Sequence, residues 1–151
     1  MTFINPDVVD LTYQKLTGNT DLNNEFTIMK NINHKVLPKT AITGRTLKNK
    51  LILINKFGGG AYQKNTGNNS AQLSQQVRIE IYVKTYEHLA DSQDETKDAQ
   101  AAIREIMFKA NFDGTGIADW HELTNRNPSQ PMKTRAAHYL VYEFLTVMGN
   151  S

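Results

Sequence analysis

Few side chains in this sequence combine a reactive type with the spacing that chemistry requires. His121-Glu122 supplies the first two residues of the zinc-hydrolase helix motif, but position 125 is Asn, where a second His must stand to share a helix face with the first. The run from Asp113 to Asp119 has the Asp and Gly of a calcium loop. It lacks the alternating oxygen ligands, and its twelfth position is Thr124 where Glu should chelate. Gly58-Gly59-Gly60 follows an aliphatic stretch, yet no Lys-Ser or Lys-Thr pair follows at phosphate-loop spacing. His34, His88, His121 and His138 are scattered, which is the pattern of surface or satisfied half-buried imidazoles. With no Cys, a thiol nucleophile, a disulfide framework and a zinc-thiolate site are all excluded. No pair of carboxylates has a spacing that argues for acid and base work. The sequence therefore predicts a protein that is not an enzyme, with no catalytic residue, no cofactor and no metal.

At 151 residues, with 39% hydrophobic side chains, the chain is expected to form one domain spanning residues 1–151 around a single core. Its longest apolar runs, Leu51-Ile52-Leu53-Ile54 and Tyr139-Leu140-Val141-Tyr142, are far short of the roughly 20 residues a membrane helix needs, so no membrane role is expected. The first residues carry neither a basic nor an apolar leader region, and folding in a cytoplasm is the expectation. The formal charge of +2 conceals a strong asymmetry. Residues 26–79 hold nine Lys or Arg and no acid, whereas residues 87–122 hold nine Asp or Glu against Lys97, Arg104 and Lys109. The two stretches can fold onto each other within a subunit. Alternatively, the basic one meets an acidic face on another copy, or the phosphates of a nucleic acid. Among the lysines only Phe57 and Tyr62 are interleaved, fewer aromatics than stacking on single strands would require.

The elements that must position these groups follow from periodicity and punctuation. Asn5 as cap, Pro6 at the first helical position and Val8, Leu11, Tyr13 and Leu16 predict a helix stopped by Gly18-Asn19. Phe26 to Met29 predicts a short strand, and Leu37 before Pro38 an extended segment. Lys50 to Phe57 predicts a strand covered on both faces and ended by the three glycines. Residues 58–75, rich in Gly, Asn, Ser and Gln, predict a polar loop eighteen residues long, longer than connections inside a compact domain usually are. Val77, Ile79, Ile81 and Val83 alternate with Arg78, Glu80, Tyr82 and Lys84, the period of a half-buried strand. The two strands should therefore form a hairpin tipped by a polar arm that reaches beyond the body. Ser92 with Glu95 reads as a capping box, followed by a helix that buries Ala99, Ile103, Ile106, Met107 and Ala110. Residues 111–131 read as irregular, with the single Trp120 as an anchor beneath them. Arg135 to Met148, aromatic and β-branched, predicts a long strand in the middle of the sheet. The fold class is α+β: a mixed, mainly antiparallel sheet packed against two helices, with a long hairpin arm.

This order, and three stretches within it, resemble the tail terminator and minor capsid (head-tail joining) proteins of long-tailed bacteriophages. The stretches are Leu51-Ile-Leu-Ile-Asn-Lys-Phe-Gly-Gly-Gly60, Val77-Arg-Ile-Glu-Ile-Tyr-Val-Lys-Thr-Tyr86 leading into Ala99-Gln-Ala-Ala-Ile-Arg-Glu-Ile106, and Tyr139-Leu-Val-Tyr-Glu-Phe144. The likeness covers nearly the whole chain and rests on patterning and element order, with no invariant motif. It implies a structural virion protein without catalysis or cofactor. Such a subunit closes into a homohexameric ring on the head-proximal end of the tail, caps the tail tube, and offers a joining surface to the head connector or stopper protein. DNA would pass through the ring without specific binding. The arm corresponds to the family's long hairpin loop, expected to contact tube or neighbour. Residues 111–131 match no family feature and leave a head-side connector role as the alternative.

A polar arm has too little apolar surface to offset its ordering entropy, so a fixed conformation calls for a partner. Separated charge suits a heterologous contact, in which one patch meets a different patch on the next copy. The residues expected at such an interface are Gly58, Gly59, Gly60, Tyr62, Lys64, Asn65, Asn68 and Asn69 of the arm, Lys48 and Lys50 of the basic stretch, and Asp91, Asp94 and Asp98 of the acidic one. Two other classes compete with this reading. One is a DNA-binding accessory protein using the basic segment 26–79. The other is a small enzyme with a metal held by Asp113, Asp119 and Glu122.

Overall fold

Helix α1, Val8–Thr17, begins where Asp7 turns extended and its Oδ1 accepts the backbone N–H of Asp10 at 3.1 Å. The cap therefore lies two residues beyond the expected Asn5, and Pro6 precedes the helix instead of opening it; its carbonyl accepts Gln75 Nε2 at 3.3 Å. In the computed structural model of the chain, the described residues are 6–30, 50–64, 71–84, 89–123 and 135–148. Val8, Thr12 and Leu16, four residues apart, form the buried stripe of α1, and Thr12 is tolerated there because its hydroxyl donates to the Val8 carbonyl at 2.7 Å. Gly18 ends the helix as expected, its backbone N–H donating to the Gln14 carbonyl at 3.0 Å; a Cβ there would stand 3.1 Å from that same carbonyl. Asn19 then caps the short helix α2, Thr20–Glu25, accepting from Leu22 N at 3.0 Å. Phe26 turns extended into strand β1, Thr27–Lys30.

Four further strands and one long helix follow: β2 Lys50–Lys64, β3 Ala71–Lys84, α3 Leu89–Lys109, β4 Ile117–Glu122 and β5 Arg135–Met148. The five strands make one sheet in the order β1-β2-β3-β5-β4, with β1 parallel to β2 and every other pair antiparallel. The class is α+β, with a mixed, mostly antiparallel sheet and three helices among the described residues, one more than expected. The extended segment expected at Val36-Leu37-Pro38 lies outside the described residues.

The hairpin departs most from expectation. Gly58-Gly59-Gly60 does not end β2, and residues 58–64 and 71–75 are not loop. The ladder runs on from Lys56↔Val77 to Lys64↔Ala71, absorbing irregularities at Lys56/Gly58 and Gly59/Ala61. The outer end of β3 also pairs with β5, from Ala71↔Met148 to Gln76↔Glu143. Backbone hydrogen bonds on two sides hold this segment, and they do not depend on apolar side chains. Only residues 65–70 of the expected arm lie outside the described residues.

Helix α3 starts at Leu89, so Ser92 and Glu95 lie within it and do not cap it. A capping box favours its start by only about 1 kcal/mol, and Leu89, Ala90 and Asp91 contain nothing that breaks a helix. Ala99, Ile103 and Met107 are buried against β3 and β5, with Ile106 and Ala110 partly buried beside them. The stretch expected to be irregular contains edge strand β4, reached through left-handed backbone at Gly114 (φ 77°) and Gly116 (φ 88°). β5 sits between β3 and β4, inside the sheet as expected.

One face of the sheet meets the helices through Ile52, Ile54, Val77, Ile79, Ile81, Leu140 and Phe144, which pack with Val8, Leu16, Phe26, Ile103 and Met107. The other face carries a smaller buried group of Leu51, Leu53 and Tyr82, flanked by Met29 and Tyr139. The aliphatic run of β2 is thus covered on both sides, as its composition indicated. β3 is covered on both sides too, although its alternation predicted a half-buried strand; Glu80 and Tyr82 of the polar series are 5% and 1% exposed.

Candidate interaction surfaces

A concavity of about 790 Å³ runs between α3 and the end of α1 with α2. Its floor is apolar and small: Leu22 and Gly18 on one wall, Ala99, Ala102, Ile106 and Ala110 on the other. Its rim carries Asp21, Glu25, Glu95, Asp98 and Glu105 against Lys15 and Lys109. The positions 95, 98, 102, 105 and 109 recur at helical spacing, so one face of α3 brings them into line. At one end Lys50 joins the two walls, 2.9 Å from Glu25 and 3.4 Å from Glu95. Partial burial acts to lower the Lys50 ammonium, but the hydrogen bond it donates to Glu25 and the two carboxylate charges outweigh it, and the pKa is raised. Lys109 bonds Glu105 at 2.8 Å one turn earlier and holds that carboxyl below its usual range. Asp21 and Asp98 have no ion pair among the described residues.

On the opposite face of the sheet lies a polar network. Glu80 accepts hydrogen bonds from Asn55 Nδ2 and, at 2.7 Å, from the Tyr82 hydroxyl, while Arg78 stands 3.5 Å away. The Arg78 guanidinium lies between the rings of Phe57 and Tyr139, at 4.9 and 5.4 Å from their centroids, and its buried Nε has no hydrogen-bond partner among the described residues. Burial, followed by hydrogen bonds with Tyr139 and Glu80, pushes the Tyr82 phenol far up, so it remains a proton donor. The network satisfies a carboxylate inside the sheet, and its ordinary role is structural.

A smaller cleft of about 230 Å³ lies between α3 and β4, lined by Arg104, Met107, Phe108, Trp120, His121, Glu122 and Tyr142. Arg104 bonds Glu122 at 2.8 Å, His121 lies 3.4 Å from Glu143, and Phe108 is 87% exposed. Trp120 anchors this corner: Nε1–H donates to the Met107 carbonyl at 3.2 Å and the ring meets Phe112 edge-on at 4.8 Å. Burial, with the Glu122 charge next in weight, raises the Tyr142 phenol. His138, on β5, is buried and its pKa is lowered by desolvation and then by the charges of Lys97 and Arg104.

The residues expected at an interface that are described lie on β2 and on α3. Gly58 is exposed at a bulge, and Gly59, Gly60, Tyr62 and Lys64 stand along the outer half of β2. Asn65, Asn68, Asn69 and Lys48 lie outside the described residues. Asp91 and Asp94 are on α3, Asp98 is on the groove rim, and Lys50, expected to meet another copy, is paired within its own subunit. Glu105 shares the polar face of α3 with Asp98 by helical spacing alone, whereas Asp21 and Glu25 carry no sequence signal as its companions, because only the packing of α1 and α2 beside α3 brings them there. Among the described residues no group of three or more His, Asp or Glu could hold a metal ion, so Asp113, Asp119 and Glu122 do not come together. No helix there is long and apolar enough to cross a membrane. Set against known proteins, the chain matches no family model and no curated sequence.

Proposed function

We propose that this chain is a structural virion protein: a phage tail terminator that forms a homohexameric ring, caps the tail tube and presents a surface to the head connector. The observation that carries this reading is the hairpin. Its strands are 15 and 14 residues long, and β1 covers β2 only from Leu51 to Ile54. Beyond that point β2 has β3 on one side and no other strand among the described residues on the other. A long ladder with an edge unpaired among the described residues is suited to seat against another subunit. The element order of the resemblance, helix, strands, hairpin, long helix and closing strand, supports the same reading.

Of the cations in the basic segment, Lys30, Lys50 and Arg78 face Asp10, Glu25 with Glu95, and Glu80 within the subunit, which leaves less charge for phosphates and weighs against a DNA-binding accessory role. The head-side alternative draws on β4 and its cleft, which the resemblance does not account for. The test is mass photometry or sedimentation at low and high salt, with and without tail-tube protein, on the full chain and on a variant lacking residues 65–70. The expected result is a species about six times the 17.1 kDa subunit, with the deletion folded but defective in docking to the tube. A strict monomer under every condition would refute the ring.

A further inference from the structure

We infer that the groove between α2 and α3 is a docking site for a cationic amphipathic helix of a partner protein. This goes beyond the ring reading and does not depend on it. Three features of the groove specify the occupant.

The first is shape. The α3 wall runs from Glu95 to Lys109, about 21 Å at 1.5 Å per residue, which accommodates a helix of roughly 14 residues lying alongside. The second is the floor. Gly18, Ala99, Ala102 and Ala110 lack the bulk to fill the space between the walls, while Leu22 and Ile106 give an apolar strip. Small residues allow another backbone to come close, and the strip takes apolar anchors at helical spacing. The third is charge. Among the described residues, five carboxylates stand on the rim beside Lys15, Lys109 and the bridging Lys50, and Asp21 and Asp98 face solvent without an ion pair. A helix with Lys or Arg flanking an apolar stripe matches both rim and floor. An acidic or uniformly polar segment matches neither.

The test uses the full chain and three synthetic peptides of 15 residues. One is a Lys/Leu/Ala helix with its leucines on one face, one is the same composition scrambled to abolish that face, and one has Glu in place of Lys. Binding is read by fluorescence anisotropy, with amide chemical-shift changes to locate the site. The expected result is saturable binding of the amphipathic Lys peptide, at least tenfold tighter than either control, weakening at least tenfold between 50 and 500 mM salt. Shifts should be confined to residues such as Asp21, Leu22, Asp98 and Ala102. Asp98→Lys and Ala102→Phe, both at positions outside the core, should each reduce affinity at least tenfold while the thermal melt stays within a few degrees. Equal binding of the scrambled peptide, no saturable binding, or affinity unmoved in two folded variants would overturn the inference. So would loss of a self-assembled species on Ala102→Phe without any peptide binding, which would make the occupant a second copy of this chain.

Discussion

Removing the Glu80 carboxylate should destabilise the chain more than any other single change to a polar side chain. Glu80 is 5% exposed and receives Asn55 Nδ2, the Tyr82 hydroxyl and the edge of the Arg78 guanidinium. In Glu80→Ala those donors lose this charged acceptor inside the sheet. Asn55 and Tyr82 lose a charged acceptor at about 1.5 to 3 kcal/mol each, and Arg78, with 33% of its side chain exposed, adds little, so the cost is about 3 to 5 kcal/mol. At roughly 3 °C per kcal/mol for a chain of this size, the melting temperature should fall by on the order of 10 to 15 °C. Tyr82→Phe removes one donor and leaves the carboxylate its other partners, so it should cost only about 1 to 1.5 kcal/mol. Glu80→Gln keeps the shape but sets an amide N–H against Asn55, and should fall between the two. Urea titration followed by circular dichroism gives all three values, and the double variant Glu80→Ala/Tyr82→Phe should be less destabilised than the sum of the singles. A Glu80→Ala protein within about 1 kcal/mol of the parent, or strictly additive singles, would show that the network contributes nothing as a unit.

Three further outcomes follow from the same structure. Ile103→Ala, which empties a fully buried site between α3 and the sheet, should cost about 2 to 5 kcal/mol in the same titration. Gly114→Ala should cost about 1 kcal/mol although nothing lies within 4 Å of the new Cβ, because the expense is the left-handed backbone at φ 77° alone; Gly114→Asn should recover part of it. The folded-state pKa of His138 lies below the ordinary 6.5 through desolvation and then the charges of Lys97 and Arg104. The unfolded chain therefore binds that proton more readily, and the stability this group contributes is complete above about pH 6.5 and lost as the pH falls through the folded value. Melts from pH 8 to pH 5 should show a shallower decline in His138→Gln than in the parent, and parallel curves would contradict the assignment.

The parts of this fold legible in the sequence are those where side chains decide. The aliphatic run Leu51 to Ile54, the alternation from Val77 to Val83 and the stripe Ala99, Ile103 and Met107 all marked their elements, because burial selects apolar side chains at the period of the backbone. Where the backbone decides, the sequence was silent. Residues 58–64 and 71–75 are strand because β3 has a partner on each side, and a ladder accepts Gly, Ser and Gln without leaving a hydrophobic trace. β4 escaped for a related reason: Ala118, Asp119 and His121 of this edge strand are exposed, so no alternation of burial was written into it. Gly18-Asn19 was read as a stop, yet Asn19 also starts α2, since a polar residue after a glycine serves either end of a helix. For the groove, Asp98 was visible as part of an acidic stretch. Its companions Asp21 and Glu25 are more than seventy residues away in the chain, and only the packing of α1 and α2 beside α3 joins them.

The claim at the centre of this account is that the molecule works by its edges, as one subunit among identical copies. Electron micrographs of the purified full-length protein, paired with mass photometry of the same sample, test it most directly. The account predicts six-membered annuli and a matching mass peak, sharpened by added tail-tube protein. A single peak at 17.1 kDa in every buffer, with no annulus on the grid even beside assembled tubes, would contradict it.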